Sequence, residues 1–351
     1  MRRGILGGLI GLFLLAAMVL LVGFNLTKPR ILVLHSGERG NGWDQRIDEG
    51  IRSALARNRR PVSVHWHYLG MERFALEEDR QDAAKQARRA IEQIRPHIVL
   101  AVDDEAQAYV ARHYAVPSGS PKAADPVTRI VYAAIDGEPG RYGYEGAANA
   151  SGVLERLPLA AMRETLLTLR NGQPARVAVI GPDDATGAAQ LQQVKAFDWG
   201  PHRLVAEQLV PDFAAWKEAV AQLDAQADVL IVLSFGGLPQ GGGSSRPVPM
   251  KEIATWVEAH AKALPIGVGT SFVESGGGLA IAPSPREMGE LAMQMSLAWL
   301  RAVANGRPAV PPPVAGAHYR VALRESALKA RGLTLPSIYV EAARLDHNRY
   351  P

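Results

Sequence analysis

Acidic and hydroxyl side chains recur in this chain directly after short apolar runs, where an α/β sheet would present them to a solute. Asp103, Asp104 and Glu105 follow the run His97–Val102. Carboxylates there suit a ligand ammonium group. They equally suit an N-cap and the acidic first turn of a following helix, and Asp103 is the best candidate for a ligand contact. His35 and Ser36 follow Ile31–Leu34, and Asp136 follows Arg129–Ile135. Asp183, Ser234 with Phe235, and Ser271 hold the same place after three later runs. Hydroxyls and backbone amides in those positions suit a carboxylate or another acceptor. Trp43 and Phe235 offer aromatic surface for an apolar side chain, although Trp43 also fits a core position.

Signatures of covalent chemistry are missing. No G-x-S-x-G elbow occurs, and the glycine-rich run Gly236–Gly243 lacks the Lys-Ser/Thr of a phosphate loop. His65 and His67 share one strand face, but no third metal ligand accompanies them. With no cysteine, thiolate sites, disulfides and lipid attachment through an N-terminal Cys are excluded. No cofactor is expected. The 39 basic and 35 acidic residues are interleaved along helical faces, so a nucleic-acid footprint is not expected either.

The elements that must hold these residues alternate. Ile31–Leu34 is a short buried strand, and Trp43, Ile47, Ile51 and Leu55 then recur every four residues as one helical stripe. Val62–Tyr68 alternates as a strand. Ala83, Ala87, Ala90, Ile91 and Ile94 form a second stripe that stops before Pro96. The rhythm restarts beyond Tyr142–Gly152, which is rich in Gly, Ala and Asn and is read as a crossing between lobes. Val177–Ile180, Leu204–Leu209, Asp228–Leu233 and Pro265–Val268 are strands separated by helical stripes. Ser284-Pro285-Arg286-Glu287 fits a capping box with Pro at the first helical position. Repeated β-α-β units predict parallel sheets with right-handed crossovers, and solutes bind beyond the carboxyl ends of their strands.

The N-terminus is of another kind. Arg2 and Arg3 precede an uncharged stretch, Gly4–Thr27, and Lys28, Pro29 and Arg30 end it. Its apolar part, Gly4–Phe24, would reach roughly 30 Å as a helix, the thickness of a bilayer core. A cleavable signal would have a shorter apolar region and an A-x-A-like site, so an uncleaved anchor with the large domain outside is expected.

In order along the chain, further segments resemble one solute-binding family. These are His35-Ser36 with Trp43 and Glu49-Gly50-Ile51, then Val102–Ala106, then Ile135-Asp136-Gly137-Glu138-Pro139 with Tyr142-Gly143-Tyr144. Asn149–Arg156, Phe213–Lys217, Ser271-Phe272-Val273 and Leu333–Pro336 continue the series. The chain resembles the uncharacterised ABC-type periplasmic substrate-binding proteins of the type 1 periplasmic-binding fold, some of which bind aromatic amino acids. The likeness spans about Ile31 to Ala343. Asp136 stands where that family's pattern has Asn, and a membrane helix replaces its cleaved signal or lipid anchor.

The expectation is therefore an α/β protein of two doubly wound Rossmann-like lobes, preceded by one N-terminal transmembrane helix. Residues 1–29 form the anchor, 30–147 with 283–318 the first lobe, 148–282 the second lobe, and 319–351 a C-terminal crossover and tail. The function expected is a non-enzymatic solute-binding protein, tethered to the inner membrane with its soluble domain outside. It would serve an ABC permease, closing its lobes on a small polar or amino-acid-like ligand. The alternatives are a ligand-sensing accessory of a membrane sensor kinase or cyclase, and a cleft hydrolase.

Overall fold

The computed structural model describes residues 11–21, 23, 28–74, 76–121, 128–307 and 309–351. The first lobe runs β1 (Arg30–His35), α1 (Gly42–Ala56), β2 (Ser63–Tyr68), α2 (Glu77–Ile94), β3 (Ile98–Val102), α3 (Asp104–Tyr109), β4 (Arg129–Ile135) and β5 (Ala150–Leu154). The second runs α4 (Leu159–Leu169), β6 (Arg176–Pro182), α5 (Ala185–Ala196), β7 (Arg203–Val210), α6 (Phe213–Asp224) and β8 (Val229–Val232). A hairpin follows, β9 (Pro239–Gly241) and β10 (Ser244–Pro247), then α7 (Met250–His260), β11 (Leu264–Gly267), α8 (Ser271–Glu274) and β12 (Leu279–Pro283). The chain then continues through α9 (Pro285–Ala304), β13 (Val314–Ala315), β14 (Tyr319–Arg324), α10 (Glu325–Ala330), α11 (Ser337–Leu345) and β15 (Arg349–Tyr350).

One sheet has the order β2-β1-β3-β4-β5-β13 and is parallel throughout. The other has the order β7-β6-β8-β11-β12-β14-β15, in which β14 runs antiparallel to β12. Side chains alternate cleanly between the two faces of each sheet. In the first lobe Leu32, Leu34, Val99 and Ala101 pack under α2 and α3, while Ile31, Val33, Ile98 and Leu100 pack under α1 and α9. Both faces are covered, so these strands read as unbroken apolar runs. Each fully buried Ile, Leu or Val contributes about 1.5–3 kcal/mol.

After twelve strands the chain returns to the first lobe, because α9 lies against α1 at backbone contact. A Cβ on Gly50 would stand 1.9 Å from the Arg286 carbonyl oxygen, and one on Gly289 would stand 2.2 Å from that of Ile47. No side chain fits at either position.

The boundaries differ from those expected in two places. Residues 150–154 pair with β4, so the first crossing falls at 155–158 and not within Tyr142–Gly152. Residues 319–351, expected as a C-terminal crossover and tail, supply β14 and β15 to the second sheet. The run Gly236–Gly243, expected as a surface loop, contains β9 and the turn of the β9–β10 hairpin. Residues 11–21 are helical with their apolar side chains outward, Phe13 at 71% and Leu20 at 73% exposure. Among the described residues no helix is long and apolar enough to cross a membrane, and residues 4–10, 22 and 24 of the expected span lie outside the described residues.

Candidate functional site

Three neighbouring parallel strands each end on a carboxylate. Asp103 is the first residue beyond β3, Asp136 beyond β4 and Glu155 beyond β5. Register makes this a cluster, since Asp103 N donates to Ala133 O at 2.9 Å and Glu155 N to Ile135 O at 2.9 Å. The β4–β5 register slips between Ala133 and Ile135, where Ala134 has φ +53°. A bulge of this kind re-aims the residue after it, here Asp136.

Asp103 sits at φ +71° and ψ 162°, a region that costs a non-glycine residue about 1–3 kcal/mol and is concentrated at functional sites. Its carboxylate caps α3 by accepting from Asp104 N at 2.6 Å. Asp104 has a different task. Its two oxygens accept from Asp136 N at 2.9 Å, from Gly137 N at 3.2 Å and from the Tyr142 hydroxyl, which fixes the loop after β4.

Crowding of carboxylates shifts their ionisation. Burial, followed by the charges of Asp104 and Glu105, pushes the Asp103 carboxyl well above the usual range. Burial, then Glu155 and Asp104, does the same to Asp136, against a smaller opposing pull from Gln190 and Arg156. Glu155, buried and near Asp103 and Asp104, is pushed up to about 8. Near neutral pH Glu155 therefore keeps its proton, and Asp103 and Asp136 hold theirs more firmly than exposed carboxyls do. The cluster can donate hydrogen bonds to acceptors, or ionise when a cation arrives.

The second lobe meets this cluster through Gln190. Its Nε2 lies 3.3 Å from each Asp136 oxygen and donates to Ser234 Oγ at 2.9 Å, while its Oε1 accepts from Ser234 N at 3.0 Å. Asp184 caps α5 by accepting from Gly187 N at 2.7 Å. A Cβ on Gly187 would lie 2.1 Å from Pro182 O, so this glycine lets α5 seat against the end of β6 with Gln190 facing the first lobe. One turn on, Gln193 accepts from Leu157 N at 2.9 Å and holds the first crossing segment. A second bridge joins the lobes where Arg46 of α1 donates to Thr270 Oγ1 and Glu274 Oε1, both at 3.2 Å.

The structure thus gathers Asp103, Asp136 and Ser234 with Gln190 and Glu155, two residues the sequence reading did not select. Ser271, half-buried beside Thr270, lies near the Arg46 bridge, and Asp183 is exposed after β6. Other expected ligand contacts are placed elsewhere. His35 is fully buried, with Nδ1 2.7 Å from Asp44 and Nε2 3.1 Å from Asp48, and it stacks on Tyr68. Ser36 is committed to Val102 O and Ala106 N. Phe235 is 2% exposed in the second lobe's core, against Trp216 and Phe272. Trp43 is half-buried on the core under α1. Asp104 is filled by its three donors. Ser36 and Phe235 lie beyond strands but turn inward and complete the core. His35 ends β1 and Trp43 lies within α1, both packed inside the first lobe, while Asp104 is taken up in fixing the loop after β4.

Superposition on solved structures decides the fold. The ABC domain in complex with L-Trp from Streptococcus pneumonia superposes with a TM-score of 0.60 at 15% identity, covering 92% of this chain and 100% of that one. The ligand-free, open CD0873 of Clostridium difficile, a substrate-binding protein with adhesive properties, gives 0.60 at 14% identity over 88% and 96%. AraP, an arabinose-binding protein of Geobacillus stearothermophilus, gives 0.54 at 13% identity over 86% and 98%. This is the type 1 periplasmic-binding fold. In the type 1 fold two α/β lobes face each other, and here the strand-end acids lie at their junction. No family model and no curated protein sequence matches the chain.

Proposed function

We propose that this protein is an extracytoplasmic solute-binding protein of an ABC-type uptake system, held at the membrane by its N-terminal apolar segment. The observation that carries the reading is the convergence of Asp103, Asp136 and Glu155 on Gln190 and Ser234 of the opposite lobe. A ligand that contacts both groups stabilises the closed arrangement, which is the differential contact a hinge motion requires. The crossings at 155–158, at Ser284 and at 316–318 would serve as the hinge.

The acids favour a solute with an ammonium group, and Ser234, Ser271 and the amide of Gln190 suit its polar remainder. An amino acid or a small amine fits best. Among proteins of this fold one holds L-Trp and another binds arabinose, so a sugar is the competing solute class. Among the described residues no group of three or more His, Asp or Glu is arranged to hold a metal ion. Ser234 Oγ accepts from Gln190 Nε2 and has no carboxylate or histidine partner among the described residues, so binding without turnover is proposed.

A second reading, as the sensing subunit of a membrane kinase or cyclase, is favoured by the outward apolar side chains of residues 11–21. A permanent tether suits a fixed partner. A thermal-shift screen of the full chain in detergent, against amino acids, amines and monosaccharides, tests the binding function shared by both readings. A cognate solute raises the melting temperature by mass action. A screen in which no solute moves it would contradict them.

A further inference from the structure

The face of the first lobe opposite the acids carries the reverse charge. Four segments meet there, at the amino ends of the strands: residues 28–30, 57–62, 93–97 and 301–307. Ser63 N donates to Pro29 O and His97 N to Arg30 O, both at 2.8 Å, and the Arg30 guanidinium reaches Arg95 O at 3.1 Å. A groove of about 250 Å³ opens among the first, second and fourth of them, with Pro29, Pro61, Val62, Leu297 and Leu300 in its walls. Together the segments hold eight Lys and Arg and no Asp or Glu. The whole chain has 39 basic and 35 acidic residues, which leaves 31 against 35 elsewhere. The excess positive charge of this protein is therefore a property of one face.

Local structure accounts for little of it. Helices α1, α2 and α9 all end here, and each helix end carries about half a negative charge. One further cation, Arg57, pairs with Glu290 of α9. Arg59, Arg60, Arg301 and Arg307 are exposed and have no carboxylate partner among the described residues. The uncharged stretch Gly4–Thr27 joins the domain at Lys28, on this same face.

We propose that this basic face is a docking surface for anionic phospholipid headgroups. It would hold the first lobe flat on the bilayer, with the acidic cleft facing away. The proposal rests on the membrane tether of the preceding section and adds an orientation to it. Cations near an anionic bilayer attract it within a Debye length, about 10 Å at 0.1 M salt. Only a chain emerging from the bilayer at this face keeps the cluster that close. The apolar groove between the arginines gives acyl or glycerol groups a place beneath the headgroups.

The chain has no cysteine, so single-site labelling is clean. Full-length protein carrying Ala304→Cys, in the groove, or Gln240→Cys, in the second lobe's hairpin, is labelled with a fluorophore. It is mixed with vesicles of phosphatidylcholine alone, or with phosphatidylglycerol added, each doped with headgroup-nitroxide lipid. The expected result is flotation with both lipids. Quenching at position 304 should be several-fold stronger in the anionic vesicles and be lost in R59E/R60E/R301E or at about 0.5 M salt, with little quenching at 240. Flotation with both lipids but equal quenching at 304 overturns the docking face and leaves the tether standing. Flotation with neither overturns both. Flotation with anionic vesicles alone, abolished by the triple variant, supports the face and removes the tether. Salt-sensitive binding of a DNA duplex, without any response to vesicles, would also overturn the lipid assignment.

Discussion

The amide of Gln190 in the second lobe lies 3.3 Å from both carboxylate oxygens of Asp136 in the first. This pair is a direct polar contact between the two lobes at the strand-end acids, and Ser234 holds Gln190 in place from behind. Gln190→Ala should weaken solute binding roughly tenfold, the value of about one net hydrogen bond of 1–1.5 kcal/mol. It should also leave each lobe folded. Calorimetry with a solute from the screen, with circular dichroism as the folding control, reads both effects.

Asp103 combines a strained backbone with a site position, so stability and binding should separate there. Asp103→Gly relieves a conformation that glycine adopts freely, for a net gain of about 0.5–2 kcal/mol after glycine's added unfolded-state entropy. The same change removes a charge-assisted contact and should weaken an ammonium-bearing solute about tenfold to a hundredfold. Urea unfolding and calorimetry on one variant test the pair of outcomes. A loss of stability with unchanged affinity would make Asp103 only the cap of α3.

Buried His35 should give the protein a pH-dependent core. Burial alone would lower its pKa, but hydrogen bonds and charge from Asp44 and Asp48 outweigh burial and raise it above 6.5. This contribution to stability is complete below pH 6.5 and is lost as pH rises through the raised folded value. Asp48 moves oppositely. Burial opposes the shift, yet His35, Tyr68 and Trp66 lower its pKa below 3.8, so its share is present above 3.8 and lost as pH falls through the folded value. His35→Ala leaves two carboxylates facing a cavity and should cost about 3–5 kcal/mol at pH 6. Melting curves from pH 5 to 9 should slope downward in the wild type and less so in the variant.

Much of this architecture was legible because both faces of each sheet are covered. Apolar runs such as Ile98–Val102 and Val229–Val232 announce buried parallel strands, and the four-residue stripe of Trp43, Ile47, Ile51 and Leu55 announces α1. The ends of the lobes were less legible. Residues 150–152 are small and fall in the Gly-, Ala- and Asn-rich stretch Tyr142–Gly152 read as a crossing, yet 150–154 pair with β4 because Gly152 accepts backbone contact, a Cβ there falling 1.9 Å from Tyr132 O. Among site residues, the rule that solutes lie beyond strand ends selected Asp103, Asp136 and Ser234. It also selected His35, Ser36 and Phe235, whose inward turn depends on partners distant in sequence such as Asp44, Val102 and Trp216. Gln190 sits mid-helix, where no spacing rule marks a polar residue as facing another lobe. Glu155 lies in the segment Asn149–Arg156, and only the pairing of residues 150–154 with β4 makes it a strand-end residue.

The backbone contact between α1 and α9 makes Gly50 intolerant of a side chain. Gly50→Ala should drive the helices apart and destabilise the protein by at least about 1–3 kcal/mol, although alanine is the better helix former. Urea denaturation measures it. Stability equal to the wild type would mean the two helices do not touch there.

Proton-linked calorimetry tests most directly whether an ammonium-bearing solute is bound by the buried acids between the lobes. Glu155 is pushed up to about 8, and Asp103 and Asp136 are raised as well, so an ammonium-bearing solute must displace protons from the cluster. For a ligand whose own ammonium remains charged, affinity should rise as pH increases from about 6 to 8. Binding near pH 7 should release protons into the buffer, seen as heats that change with buffer ionisation enthalpy. Glu155→Gln should reduce both effects, and Asp136→Ala should weaken binding itself. Affinity that is flat across this range, with no proton release and no change in Asp136→Ala, would contradict the account.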